Sequence, residues 1–486
     1  MSDTINQKCI WSTIRQPRAR QSAEEPVEAE PHRSVFQQDY DRLLFSTPVR
    51  RLADKTQVWP MEENDGVRTR LTHSHEVANL ARSIGTKAYR AKAELFKDCQ
   101  GLEISLSDTI HPLLLSIGLG HDLGNPPFGH QGEAAIGNWF KKREGWIFNK
   151  PSHDSTNYLP LQIPIEYQLE FTQFDGNPQS LRLLTKLQTH IEGLGLDLSA
   201  TTLAAGLKYP VSYQNIDKKI ASSKKGGYFT SEKSVVNWIR EKTGLEEGQR
   251  HPLTWIMEAC DDIAYSVLDV DDVLKKGMVS PDDVLAILRH KRCDCEIIKN
   301  ISSRFENVEQ KGFVSEIQRD IKTQYLRALL IDNLISHASA SFTTNGTAIF
   351  SYLQTSALMD DSELCENLKE IAKTYAFGHP TVLKAEALGA AAIDGLMSAF
   401  WEAITDRKDP NDLDSKRLSA RSKYIYSKIS PNYINNAKID SGEKNLESSL
   451  RYRELRLLTD MVSGMTDSYA MRLWGELQAV PYVNRA

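Results

Sequence analysis

Residues His121 to Glu133 read His-Asp-Leu-Gly-Asn-Pro-Pro-Phe-Gly-His-Gln-Gly-Glu, an adjacent His-Asp pair, a second His and a Glu in one short apolar-flanked stretch. A His-Asp dipeptide alone carries little meaning, but so dense a set of polar groups points to a metal or catalytic site. Two distant residues add to it: His73 in Arg-Thr-Arg-Leu-Thr-His-Ser-His and Asp261 in Met-Glu-Ala-Cys-Asp-Asp-Ile-Ala-Tyr. Two imidazoles and two carboxylates make a mixed nitrogen and oxygen shell that suits Mn²⁺, Mg²⁺, Co²⁺, Fe²⁺ or Zn²⁺. No thiolate takes part, which disfavours a structural zinc site. With octahedral coordination, His73, His121, Asp122 and Asp261 would leave room for water and an anionic oxygen, the arrangement hydrolysis needs. His130 and Glu133 stand three residues apart, so a helix would put them on one face. An imidazole oriented by a carboxylate can act as general acid or base; the plainer alternative is a capping Glu beside a surface His.

Helices must position these groups. From Leu71 to Ala91, His73, Val77, Leu80, Ala81, Ile84 and Ala88 recur at three- and four-residue spacing, which predicts a helix with His73 on its inward face. His75 is two positions on, about 200° around, and points elsewhere. Leu113 to Leu123 reads as a buried helix stopped by Gly124 and Pro126-Pro127, with His121 and Asp122 in its final turn. A third helix around Trp255 to Leu274 aligns Met257, Asp261, Tyr265, Leu268 and Asp269, with Asp262 about 100° away. Asp261 is therefore the preferred carboxylate of that pair.

The chain of 486 residues, 40% hydrophobic and 25% charged, has the composition of an ordinary packed globule. Residues 1 to 32 lack apolar periodicity and read as a disordered tail. Residues 33–486 read as one large domain, mainly α with few short strands, its core at about 60–275 and a helical C-terminal part at about 276–486. Polar stretches 141–164 and 214–234 look like surface loops, and another polar interval runs from about 405 to 447. The apolar run around Leu113 to Leu119 is too short to cross a bilayer and no signal segment is evident, so a cytoplasmic protein without a membrane partner is expected. Six cysteines form no disulfide framework, and Cys293-Asp294-Cys295 lacks a second pair to complete a zinc site. A net charge of -5 gives no global attraction to nucleic acid. Arg50, Arg51 and Lys55 could meet an anion or form a solvated face.

With His73, His121-Asp122 and Asp261 in that order, the chain resembles the HD-domain metal-dependent phosphohydrolases. Longer blocks narrow the resemblance to deoxyguanosine triphosphate triphosphohydrolases: 50–58, 68–78, 121–133, 174–179 (Phe-Asp-Gly-Asn-Pro-Gln), 207–210 (Leu-Lys-Tyr-Pro), 258–272 and 460–470. They occur in the family's order. The resemblance implies a nearly all-helical HD fold and attack at the α-phosphorus of a deoxynucleoside triphosphate, dGTP above all, releasing deoxynucleoside and inorganic triphosphate. Carried over by motif, His73, His121, Asp122 and Asp261 match the metal ligands, with Mn²⁺ or Mg²⁺ foremost, while His130 and Glu133 match the catalytic pair. Gln57 matches the reader of the sugar 3′-hydroxyl, and Tyr265 and Asp269 match groups against the deoxyribose. Asn177, Lys208, Tyr209 and Lys225 match residues around the triphosphate, and Arg70 joins them. Phe377 and Glu386 match residues that stack on and hydrogen-bond guanine.

Two positions depart from the pattern: Asn125 stands where the family has His, and His75 where it has an apolar residue. Asn can bond a phosphate or water but cannot shuttle a proton at neutral pH. The resemblance also implies a homo-oligomer, a hexamer, and single-stranded DNA as a modulator. Two other readings are a regulatory or single-stranded nucleic-acid-binding HD protein with little turnover, and an HD nucleotidase or phosphodiesterase acting on monophosphates. The Gln57, Lys208-Tyr209 and Tyr265-Asp269 blocks argue against the second.

Overall fold

The three segments expected to carry the metal ligands are helices or helix ends in the structure, a computed structural model that describes residues 9–16, 30, 32–61, 66–149, 163–188, 194–291, 295–438 and 449–480. The first helix spans Arg70–Ala91, opened by reciprocal Thr69 and Thr72 caps, and buries His73, Val77, Leu80, Ala81, Ile84 and Ala88. His75 is exposed.

The apolar helix spans His111–Gly120 with Pro112 in its first turn. It ends sooner than its apolar pattern predicts: His121 caps it and Asp122 lies in the turn that follows, closed by Asn125 N–H donating to the Asp122 carbonyl. The glycines at 118, 120 and 124 and the two prolines beyond explain the early stop. Gly118 has a further task, since a Cβ there would come within 2.5 Å of Ala78 Cα. Its missing side chain lets the two helices cross closely enough for His73 and His121 to meet.

The third segment is Pro252–Ile263 followed by a wider turn of helix over Ala264–Leu268 and then Asp269–Lys275. That π turn inserts into the register after Asp261 and parts Tyr265 from Asp269: Tyr265 is half-buried, Asp269 wholly buried. His130 and Glu133 ride on a fourth helix, Gly129–Lys141, entered through Phe128 in the left-handed region at φ 63°.

C-terminal helices buttress these four. Ser315–Thr344 packs on the His73 and Asp261 helices, and Pro380–Thr405 lies along the His130 helix and against Leu450–Ser463 and Asp467–Gln478. Pro380–Thr405 is the one helix among the described residues long and apolar enough to cross a membrane, and much of it is buried inside the protein. One buried apolar cluster runs from Ile10 to Leu477.

The fold is mainly α as expected, and among the described residues β structure is confined to isolated bridges such as Thr56 with Thr69. The N-terminal tail differs from expectation. Residues 9–16 are packed: Trp11 meets the His251 ring edge-on at 5.3 Å, His251 Nε2 lies 3.1 Å from the Ile10 carbonyl, and Arg15 pairs with Asp39 at 2.7 Å. An apolar Ile-Trp pair sufficed to anchor a segment too short to show periodicity. Residues 214–234, expected as a surface loop, bury Tyr228, Phe229 and Glu232, and the polar interval near 405–447 contains helices Ala420–Tyr426 and Pro431–Lys438. Cys293 and Asp294 lie outside the described residues.

Candidate active site

Ligand atoms of His73, His121 and Asp261 all lie within 4.8 Å of one another. Asp261 Oδ1 is 3.3 Å from His73 Nε2 and 3.4 Å from His121 Nε2, and Asp122 Oδ1 is 3.5 Å from His121 Nε2. His121 Nδ1 faces the Gly118 carbonyl at 2.7 Å, which fixes the proton there. Its buried Nε2 is left without a hydrogen-bond partner, between two carboxylates. His73, His121 and Asp261 form a donor set that fits a divalent cation, and the fourth expected ligand, Asp122, lies beside His121 without joining that group.

Surrounding groups hold the carboxylates. Arg70 pairs with Asp122 Oδ2, Asn125 Nδ2 donates to Asp122 Oδ1 at 2.7 Å, and Lys208 Nζ donates to Asp261 Oδ2 at 3.0 Å. Against the upward push of burial, His121 and Arg70 hold Asp122 well below the usual carboxylate range; Lys208 and His121 do the same for Asp261. Burial pushes His73 down, toward the neutral ring a metal requires.

A cavity of about 600 Å³ opens beside the cluster. Arg70, Asp122, Asp261 and His130 line one end, Gln57 and Tyr265 also border it, and Phe377, Leu383, Gln131 and Glu386 complete its wall. Tyr265 and Phe377 stack at 5.5 Å with 17° between their planes. Gln57 Oε1 is buried with no partner, an acceptor ready for a hydroxyl donor.

A second cavity, of about 440 Å³, shares His130 with the first and is lined by Glu133, Asp175, Lys141, Lys218, Lys224 and Lys225. Lys225 Nζ bonds Asp175 at 2.5 Å, and Asn177 Nδ2 bonds the same carboxylate at 2.7 Å. Glu133 does not bond His130 directly; its Oε1 accepts from Gly176 N–H at 2.6 Å. Burial and the Asp175 charge push Glu133 up to about 7, whereas burial, Arg70 and Lys225 lower His130, whose ring still borders both cavities. At neutral pH the pair therefore holds a neutral imidazole and a carboxyl poised between its two forms, a state suited to moving protons.

Tyr209 is buried, with Arg250 over its ring at 5.8 Å, and lines neither cavity. Asp269 also lies behind the wall, paired with Arg68, which reaches Asp272 at 3.0 Å as well. Desolvation and the Asp272 charge outweigh Arg68 and push Asp269 up to about 7. The Arg51 side chain donates to Tyr433 and the Gly464 carbonyl, and Lys55 to the Asn125 and Ser463 carbonyls, so these two cations brace the chain instead of facing an anion.

Sequence reasoning missed Arg68, Asp175, Gln131 and the Asp262–Lys369 pair at 3.2 Å. Arg68 and Asp175 sit inside blocks 68–78 and 174–179, the one signal that could have found them.

No family model matches the chain. Among curated proteins, a deoxyguanosinetriphosphate triphosphohydrolase-like protein of Listeria innocua is 34% identical over 460 residues, covering 92% of this chain and 94% of its own. Deoxyguanosinetriphosphate triphosphohydrolases of Enterobacter and of Salmonella typhimurium are 32% and 31% identical, each with the same 92% and 94% coverage.

Proposed function

We propose, from the premise that this chain belongs to the deoxyguanosinetriphosphate triphosphohydrolase family and is an enzyme of that kind, that it cleaves deoxynucleoside triphosphates, dGTP foremost, into deoxynucleoside and inorganic triphosphate with a divalent metal. The observation that carries the reading is the large cavity, which joins a cation-ready cluster to an aromatic end through His130. Phosphates belong at the charged end and a base at the aromatic one.

His73, His121, Asp122 and Asp261 would hold Mn²⁺ or Mg²⁺, which when bound supplies Lewis-acid polarisation of a phosphoryl oxygen. The chain's own groups do the rest. Arg70, Lys208 and Lys225 offset charge on the phosphates, while His130, with Glu133 nearby, takes or returns a proton at the attacking water or the leaving oxygen. Gln57 accepts from the sugar 3′-hydroxyl, and the Tyr265 ring packs against the 2′-carbon, where a ribose hydroxyl would clash. Asn125 acts here through Asp122, as an orienter of a ligand.

The test is incubation of the protein with each of the four dNTPs and Mn²⁺, with and without single-stranded DNA, followed by product analysis. Triphosphate and deoxynucleoside are expected, fastest from dGTP, and chelation should abolish turnover. Binding without products, or phosphate released from monophosphates only, would overturn the reading.

A further inference from the structure

We propose that Gln131 is a specificity-determining residue which, together with Glu386, reads the pairing edge of a guanine base; the inference rests on the function proposed above. Gln131 sits in the first turn of the His130 helix, next to the catalytic imidazole, and Glu386 lies on Pro380–Thr405, the helix packed alongside. Both line the large cavity, where the Gln131 amide opposes the upward push of burial on the Glu386 carboxyl.

The other charged groups of that cavity are already committed. Lys369 pairs with Asp262, and Arg70 with Asp122. Leu383 and Phe377 add apolar surface to the same wall. A base stacked there meets one carboxylate and one amide. Guanine presents N1–H and an exocyclic amine, which a carboxylate can accept as a pair, and beside them O6, an acceptor that needs a donor. The Gln131 amide has two N–H donors and can supply one to O6. Adenine presents N1 as an acceptor, so its lone pair would face the Glu386 carboxylate and its amine would face the Gln131 donor. The pair is thus matched to guanine and mismatched to adenine. Because Gln131 adjoins His130, a correctly paired base is also held in register with the proton-transfer group.

The test compares kcat/KM for dGTP and dATP in the native protein, Gln131→Leu and Gln131→Glu. The dGTP to dATP ratio should fall about tenfold in Gln131→Leu, which leaves O6 unpaired, and further in Gln131→Glu, which sets a carboxylate against it. A ratio that stays within about twofold in both variants removes Gln131 from base selection while leaving the triphosphohydrolase intact. Native protein that prefers another base overturns the inference and the dGTP preference proposed above, while leaving the triphosphohydrolase reading in place. Native protein that turns over none of the four dNTPs overturns the functional reading and this inference with it.

Discussion

At the scale of single residues, Glu133 is the most informative side chain. Burial and Asp175 raise it to about 7, so it changes form in the range where the protein would work. His130 is pushed downward and stays neutral there. If the carboxylate is the working form, kcat/KM should rise as pH climbs through about 7, and Glu133→Gln should lose that ascending limb along with most of the rate. A pH profile of the two proteins checks this, and an identical limb in both would assign it elsewhere. His130→Ala should lower kcat by about 10²- to 10⁴-fold while leaving metal binding, read by calorimetry, unchanged. Asn125 shows how a departure from a pattern can be absorbed: it cannot relay a proton, yet its amide still orients Asp122 at 2.7 Å.

At the scale of elements, the site depends on two helices that touch at a glycine. Gly118→Ala would drive a methyl into Ala78, at a cost of about 1–3 kcal/mol, and spread His73 from His121. A lowered melting temperature together with weakened Mn²⁺ binding is the expected result. A second support is Arg182, at the end of helix Gly176–Arg182. Its Nη2 meets Asp460 Oδ2 at 2.6 Å and its Nη1 meets Glu232 at 2.8 Å, all three buried. Asp460→Ala would leave the buried Arg182 guanidinium with Glu232 as its remaining carboxylate partner and should destabilise the protein by about 1–3 kcal/mol in a denaturant melt. The helices around His73 and Asp261 were legible because their apolar spacing is regular and His73 falls on the inward stripe. The π turn at Ala264–Leu268 was not, since nothing in residue spacing marks an inserted residue, and it moved Asp269 behind the wall. Arg68 escaped for another reason: its partner Asp269 is 201 residues away, and charge pairing at that separation leaves no local pattern.

At the scale of the molecule, the first described residues belong to the body. Thr201 Oγ1 donates to the Ile10 and Ser12 carbonyls, and the Trp11 indole to Lys97. Removing residues 1–16 should therefore lower the melting temperature, and an unchanged melt would show that strip to be dispensable. The hexamer implied by the family resemblance is checked by light scattering behind a sizing column; a monomeric mass would exclude it. A last consequence comes from the far end of the chain. Lys55 grips the carbonyls of Asn125 and Ser463, and the Asp467 carboxylate accepts from the Thr56 and Phe128 amides at 3.0 Å. The loop between Asp122 and His130 is thus fastened by Asp467, 339 positions from Phe128 in sequence. Removing Ser463 and Asp467 would undo that fastening, so the site should be lost together with the C-terminal helices.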